Sequence, residues 1–285
     1  MQRVTIVTDS MACLTRELIE QYGILIVPIR LLVQGKVYRD LVDMTPSEAY
    51  ELFLQDPESF NTSPASPGHY IEAYHEASSK TKNILCITLS SKLSTAYDVA
   101  CVAKEQAKTE LPQVSIEVLD SQVVTAAQGF VALAAARAAA AGKGLAEAVK
   151  AAEGIRRRVT FLILMDTVRY VYRTGRIPKM AARAGSILNI KPILTSSSGL
   201  VRFAGAVRNK QRGVDRLLKM MKERVGLNPV HVTVMHAYAL EEAERLKERI
   251  ASEFDCVELW LAEMSPVMGY ATGTGTLGVA FYHDG

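Results

Sequence analysis

Cysteine, tryptophan and histidine are sparse in this chain, and no apolar run is long enough to cross a bilayer. The four cysteines, Cys13, Cys86, Cys101 and Cys256, lie far apart, with no Cys-x-x-Cys pair and no histidine at ligand spacing. That excludes a small disulfide scaffold and reads as reduced thiols in a cytoplasmic protein. The start, MQRVTIVTDS, lacks the basic segment and apolar stretch of a secretory signal. The most membrane-like stretch, 126–141, contains Gln128 and Arg137 and is too short to span. His231 and His236 are five apart on an expected strand, which points them to opposite faces. His69 and His75 are six apart on an expected helix, so the histidines form no metal set and no metal is expected. There is no G-x-x-x-x-G-K-[ST] phosphate loop and no G-x-S-x-G nucleophile elbow. Gly273-Thr274-Gly275-Thr276-Leu277-Gly278 matches G-x-G-x-x-G, but only seven residues follow, and they read as a strand rather than the required helix. Those glycines are expected to form a loop whose backbone N–H groups approach a ligand closely.

What is present is an ordinary globular composition, 49% apolar and 22% charged over 285 residues, a length comfortable for two domains. Charge is uneven. Residues 1–158 hold 16 basic and 18 acidic side chains, and residues 159–285 hold 17 and 12. Within the second part, 169–224 carries 14 basic residues against Asp215 and Glu223 alone. Such an excess is either a solvated face or a docking surface for an acidic or phosphorylated partner. Nucleic acid is not the expected partner, because only Tyr170, Tyr172 and Phe203 interleave the segment.

The first half repeats one theme, a β-branched apolar run ending in small hydroxyl or acidic residues before a helical segment. Val4–Val7 ends in Thr8-Asp9-Ser10, Ile84–Thr88 in Leu89-Ser90-Ser91, and 114–119 in Asp120-Ser121. This pattern predicts buried parallel strands with helices on both faces. A further strand is expected over 23–33, broken at Pro28, with helices over 15–22, 46–54, 67–78, 94–109, 125–141 and 145–158. The second unit is expected to run from strand 161–165 through a helical stretch after Asp166-Thr167 and a basic region to helix 211–225. Strand 231–236, helix 240–254, strand 257–262 and strand 277–282 follow. The fold class is thus α/β with two domains, 1–158 and 159–285, each with its own sheet.

The chemistry-bearing residues that remain are hydroxyls at strand ends: Ser10, Thr62, Ser63, Ser66, Ser90, Ser91, Ser94 and Ser121. Helix capping accounts for one hydroxyl per helix, not for Ser90-Ser91-x-x-Ser94-Thr95. Neutral donors gathered at helix N-termini suit a small anion, and without a Gly-Lys clamp a carboxylate fits better than a polyphosphate. Two readings stay open on these grounds: a binding protein, or a hydrolase or transferase using the serines on a small carboxylate or phosphate ester.

Thr8-Asp9-Ser10, Thr62-Ser63-x-x-Ser66-Pro67, Ser90-Ser91-x-Leu93-Ser94-x-x-Tyr97, Asp120-Ser121, Gly175-Arg176-Ile177, Lys191-Pro192-Ile193-Leu194, Arg208 and Gly273-x-Gly275-x-Leu277-Gly278 resemble, in this order, the DegV family. The resemblance covers the whole chain and implies a two-domain protein that holds one long-chain fatty acid between its domains, performs no catalysis and needs no cofactor. It further implies delivery of the bound acid to a separate fatty acid kinase for phospholipid synthesis. Carried over by position, Thr62 and Ser94 become donors to the fatty acid carboxylate and Arg208 part of the polar network beside it. Ser10, Ser63, Ser91, Thr95 and Gly273 are grouped with them. The family's His-x-Gly-Pro-Gly loop reads Ala271-Thr272-Gly273-Thr274-Gly275 here, so Thr272 or Thr274 is the expected stand-in for the missing histidine, and Thr95-Ala96 replaces the usual Gly-Thr. The tail is expected against 162–165, 187–194, Met264, Val267 and Met268. Arg173 and Arg176, with Arg169, are expected to dock the kinase or to ease transient contact with anionic membrane.

Overall fold

The computed structural model describes residues 3–170, 173–176 and 190–284. In chain order the first half runs β1 (Thr5–Asp9), α1 (Arg16–Tyr22), β2 (Leu25–Val27), β3 (Arg30–Val33), β4 (Lys36–Arg39), α2 (Pro46–Gln55), β5 (Phe60–Ser63) and α3 (Pro67–Lys80). It continues with β6 (Asn83–Thr88), α4 (Ala96–Glu110), β7 (Ser115–Asp120), α5 (Ala126–Ala140) and α6 (Leu145–Arg158). The second half comprises β8 (Thr160–Leu164), β9 (Lys191–Ser197), β10 (Leu200–Val207), α7 (Lys210–Val225), β11 (Val230–His236), α8 (Leu240–Glu253), β12 (Cys256–Glu263), α9 (Pro266–Thr272) and β13 (Leu277–His283).

Three sheets result. A four-stranded parallel sheet has the order β2-β1-β6-β7, and a six-stranded sheet the order β10-β9-β8-β13-β11-β12. In the larger sheet only β11 and β12 run parallel; every other pairing is antiparallel. A small antiparallel sheet, β4-β3-β5, completes the set.

Alanine explains how the two large sheets stack. Helix α5, AAQGFVALAAARAAA, has eleven of fifteen residues buried, so it has no solvent face of the kind an amphipathic helix shows. It lies between the sheets, and one apolar cluster joins Ile6, Leu85 and Ile87 of the parallel sheet, Phe130 and Val131 of α5, and Phe161, Ile163 and Ala280 of the larger sheet. Small side chains let backbone approach backbone: a Cβ added at Gly129 would sit 2.4 Å from the Ala12 carbonyl oxygen. Helices α3 and α4 cover the outer face of the parallel sheet, and α7 and α8 that of the larger sheet. The order from outside to outside is therefore helix, sheet, helix, sheet, helix. Arg137, near the end of α5, pairs bidentately with Glu258 on β12 at 2.5 and 2.9 Å, which keeps its charge compensated at a half-buried position.

Four expectations change. Strand 23–33 is two strands in different sheets, since Pro28 lacks the N–H needed to continue the first ladder. Residues 166–170 after β8 form turns rather than a helix; 171, 172 and 177–189, including Ile177, lie outside the described residues. The basic region contains the β9–β10 hairpin, and residues 266–272 form an unforeseen short helix. Cys13 and Cys86 are buried and all four cysteines are free thiols.

Candidate functional site

The carboxyl ends of β1 and β6, the end of β5 and the strands β8–β10 surround one cavity. It encloses about 840 Å³ counting space open to solvent, of which about 110 Å³ admits the centre of a water-sized sphere. One part of its wall is apolar. Met11 and Ile29 come from the loops after β1 and β2, Leu89 and Leu93 from the loop after β6, Phe161 and Ile163 from β8, Leu194 and Val201 from the hairpin, and Val267 and Met268 from α9. The polar lining is Thr62, Ser63, Ser94, Thr174, Arg176 and Thr272. Among the described residues its lining supplies hydroxyls and one cation, with no Asp, Glu, His or Cys.

Each hydroxyl is positioned by its local backbone. Ser94 precedes α4; its Oγ accepts the Ala96 N–H at 3.2 Å, and its own N–H donates to the Ser90 carbonyl at 3.2 Å. The hydroxyl hydrogen is left to donate elsewhere. Thr62 is placed by β5, where it registers with Leu31, and its hydroxyl has no partner among the described residues. The strand is followed by Ser66, which caps α3 by accepting the His69 N–H. Two helix N-termini thus open near these hydroxyls, each carrying partial positive charge.

Arg176 is the one lining cation among the described residues. Its Nε donates to the Leu93 carbonyl at 3.1 Å and its Nη1 to the Thr174 carbonyl at 2.7 Å. It forms no ion pair among the described residues. Backbone carbonyls aim the guanidinium without neutralising it, the condition a ligand carboxylate exploits.

Other expected site residues stand elsewhere. Ser91 donates to Asp120 Oδ2 at 2.6 Å, and Thr95 occupies the exposed cap position of α4 without a capping bond. Ser10 lies behind the cavity wall, its Oγ accepting the Ile29 N–H. Arg208 is exposed between β10 and α7 and does not line the cavity. Thr272 does line it, but its hydroxyl donates to the Met268 carbonyl within α9. Gly273 has φ +82°, and a Cβ there would meet Tyr170 Cδ2 at 2.8 Å, so this glycine admits the turn after β8. Its N–H donates to Gly269 and that of Gly275 to Ala237, so the loop expected to offer both to a ligand uses them internally. Arg173 stacks on Tyr170 and Tyr270 at 4.8 and 5.3 Å and pairs with Glu58 at 2.6 Å, tying the residues before β5 to α9. Arg169 is exposed.

The apolar wall also differs in detail. Leu162 and Leu164 face α7 on the opposite side of β8, since alternate strand residues cannot share a face. Met165 and Met264 are core beside the cavity rather than lining, and 187–189 lie outside the described residues. Met11, Ile29, Pro64, Leu89, Leu93, Val124, Val201 and Ala271 were not foreseen. The period-two pattern of Phe161 and Ile163 was the available signal for β8; the loop residues carry none.

Two buried carboxylates stand behind the Met11–Ile29 wall. Asp9 accepts the Met11 and Leu89 N–H groups, and Asp40 accepts the Ser265 hydroxyl at 2.6 Å. Burial pushes each from 3.8 up to about 6, opposed by those hydrogen bonds. Asp40 Oδ1 is buried without a partner among the described residues.

Comparison with known proteins agrees with this architecture. A family model described as "Uncharacterised protein, DegV family" matches residues 3–284. A DegV domain-containing protein of Streptomyces coelicolor is 32% identical over 280 residues, with 98% of each chain covered. Among solved structures, a DegV family protein from Thermus thermophilus, described by its fatty acid binding, superimposes with a TM-score of 0.88 at 27% identity over 99% of each chain. DegV of Bacillus subtilis, described as a fatty acid binding protein, gives 0.88 at 25% identity over 100% of each chain. With the family model spanning nearly every residue and the fold shared end to end, the chain belongs to the DegV family.

Proposed function

We propose that this protein binds one long-chain fatty acid in the cavity and performs no chemistry on it. The carboxylate is received by Thr62, Ser63, Ser94 and Arg176, and the tail lies against Phe161, Ile163, Leu194, Val267 and Met268. The observation that carries this reading is the cavity's division into a large apolar wall and a hydroxyl-rich lining that, among the described residues, has a single cation and no general base. Among the described lining residues there is no histidine or carboxylate to take a serine's proton, which disfavours the hydrolase and transferase alternative. The fatty acid binding of two whole-length structural relatives supports the same ligand class.

The energetics suit a carrier. A tail of roughly 15 carbons at about 0.8 kcal/mol per CH₂ contributes on the order of 12 kcal/mol gross. Association and ordering cost about 4–15 kcal/mol. Affinity therefore comes from the enclosed tail, while the head group sets orientation and keeps the carboxylate compensated. Release to a separate fatty acid kinase extends this reading by family resemblance, with exposed Arg169 and the rim of Arg176 as its docking surface.

Native mass spectrometry of the purified protein, followed by denaturing extraction and lipid identification, tests the proposal. One bound C14–C18 acid per chain is expected, a range set by the methylene arithmetic. A protein that stays lipid-free after incubation with such acids overturns it.

A further inference from the structure

The cavity wall contains a seam. Leu89, Leu93 and Ser94 reach it from the loop between β6 and α4, while Leu194 and Val201 reach it from the β9–β10 hairpin. Across this seam the contacts at the hairpin tip are polar. Ser90 Oγ donates to the Gly199 carbonyl at 2.7 Å, and Lys92 Nζ donates to the Ser198 carbonyl at 2.8 Å. The tip is shaped for this: Ser198 and Gly199 both have left-handed backbones, φ +51° and +82°, the pairing of a tight hairpin turn. A Cβ added at Gly199 would lie 2.9 Å from Ser90 Oγ and 3.2 Å from Lys92 Cδ.

Ser90 links this contact to the head-group loop. It is fully buried, its carbonyl accepts the N–H groups of Leu93 and Ser94, and its Oγ accepts the Lys92 N–H. The same residue that grips the hairpin thus holds the turn that presents Ser94. We propose that Ser90 and Lys92 are positioning residues forming a latch between the β6–α4 loop and the β9–β10 hairpin, and that opening this latch is the step by which the ligand enters and leaves. The proposal rests on the fatty acid-binding reading for its ligand. The latch itself is a property of the chain.

Its polar nature matters. Two hydrogen bonds to carbonyl oxygens exchange for water when the seam parts, whereas an interlocked apolar seam would expose surface on each opening. Lys92 is exposed, so its bond is the one solvent reaches first.

The test combines two readouts on wild type, Ser90→Ala and Lys92→Met. The first is stopped-flow association and dissociation of a fluorescent C18 polyene acid. The second is amide hydrogen exchange of the delipidated protein at 90–94 and 198–201. Removing either bond should speed both association and dissociation by about 5- to 10-fold while shifting the equilibrium constant much less, because a gate changes both rates together. Exchange at those two segments should rise with the rest of the chain unaffected. Lys92→Met, on the surface, serves where Ser90→Ala fails to fold. Unchanged rates in a protein that binds the acid overturn the latch. Faster dissociation with unchanged association also overturns it, since that is the signature of a lost ligand contact. If wild type binds no acid, the carrier reading fails, and exchange alone decides: localised acceleration supports the latch, and unaltered exchange overturns it.

Discussion

Replacing Asp40 by asparagine should alter how stability depends on pH, and the size of the change follows from its surroundings. Asp40 is completely buried, with Oδ2 accepting the Ser265 hydroxyl, and its pKa rises from 3.8 to about 6 through burial, opposed by hydrogen bonds from Ser265, Ser10 and the Leu41 backbone. A carboxyl whose folded-state pKa is raised stabilises the fold fully below its unfolded value of 3.8, and that contribution is lost as pH rises through about 6. Each tenfold weakening of an acid corresponds to about 1.4 kcal/mol, so at high pH the ionised side chain costs about 3 kcal/mol in all. Between about pH 7.5 and about pH 4.5 the cost falls from about 3 to about 1 kcal/mol.

The whole-protein curve will not display this directly. Asp9 behaves as Asp40 does, but His236, buried and pushed from 6.5 down to about 4, acts the other way and loses stability as pH falls below 6.5. The difference between wild type and Asp40→Asn removes both. Urea unfolding of the delipidated protein, followed through Trp260 against Phe130 with ring centroids 4.7 Å apart, gives that difference at each pH. Wild type should gain about 2 kcal/mol on the variant between about pH 7.5 and about pH 4.5. Any fixed cost of the buried amide shifts the curves without changing this gap. Parallel curves would show that Asp40 ionises normally and would refute the argument from burial.

Three other outcomes follow from the geometry. Thr62→Val and Ser94→Ala should each weaken binding of a long-chain acid about 10-fold, the effect of losing one hydrogen bond to a charged group, as read by titration calorimetry; unaltered affinity would place the carboxylate elsewhere. Arg176→Gln should weaken binding by a few-fold and flatten its salt dependence, because it removes the only lining cation among the described residues; a salt response equal to wild type would show that Arg176 does not meet the carboxylate. Gly129→Ala should destabilise the fold by about 1–3 kcal/mol in denaturant melts despite alanine's better helix propensity, because its Cβ meets the Ala12 carbonyl at 2.4 Å.

Legibility tracked how far each residue's role depends on neighbours in sequence. β1, β6, β8, β11 and β13 are apolar runs that must be buried wherever they go, so their pattern suffices. β5, with the sequence FNTS, has no such run and is a strand only because Arg30–Val33 pairs with it. The β9–β10 hairpin was hidden for a related reason: β10 is an edge strand with a bulge between Phe203 and Gly205 and several exposed residues, so alternation is weak. Helix α5 was expected where it forms, but its burial was not. Its membrane-like composition reflects a helix enclosed by two sheets, a condition that only the assembled layers reveal.

The candidate site shows the same limit at the level of charge. Hydroxyls at strand ends could be foreseen as a group, because parallel strands deliver their carboxyl ends to one edge. Which arginine meets the cavity could not. Arg173 and Arg176 are three apart in the same basic segment, yet Glu58 and two tyrosine rings occupy the first, while two carbonyls hold the second against the cavity. Asp9 and Asp40 sit behind the wall formed by Met11 and Ile29, and Arg176 holds to Leu93, the neighbour of Ser94. Under the proposed function, a carboxylate would gain by lying at Ser94 and Arg176 and be repelled by ionised Asp9 and Asp40, which would leave the wall of Met11 and Ile29 to the tail. On the proposed reading the two aspartates, costly to stability at neutral pH, would also disfavour a ligand carboxylate beside Met11 and Ile29.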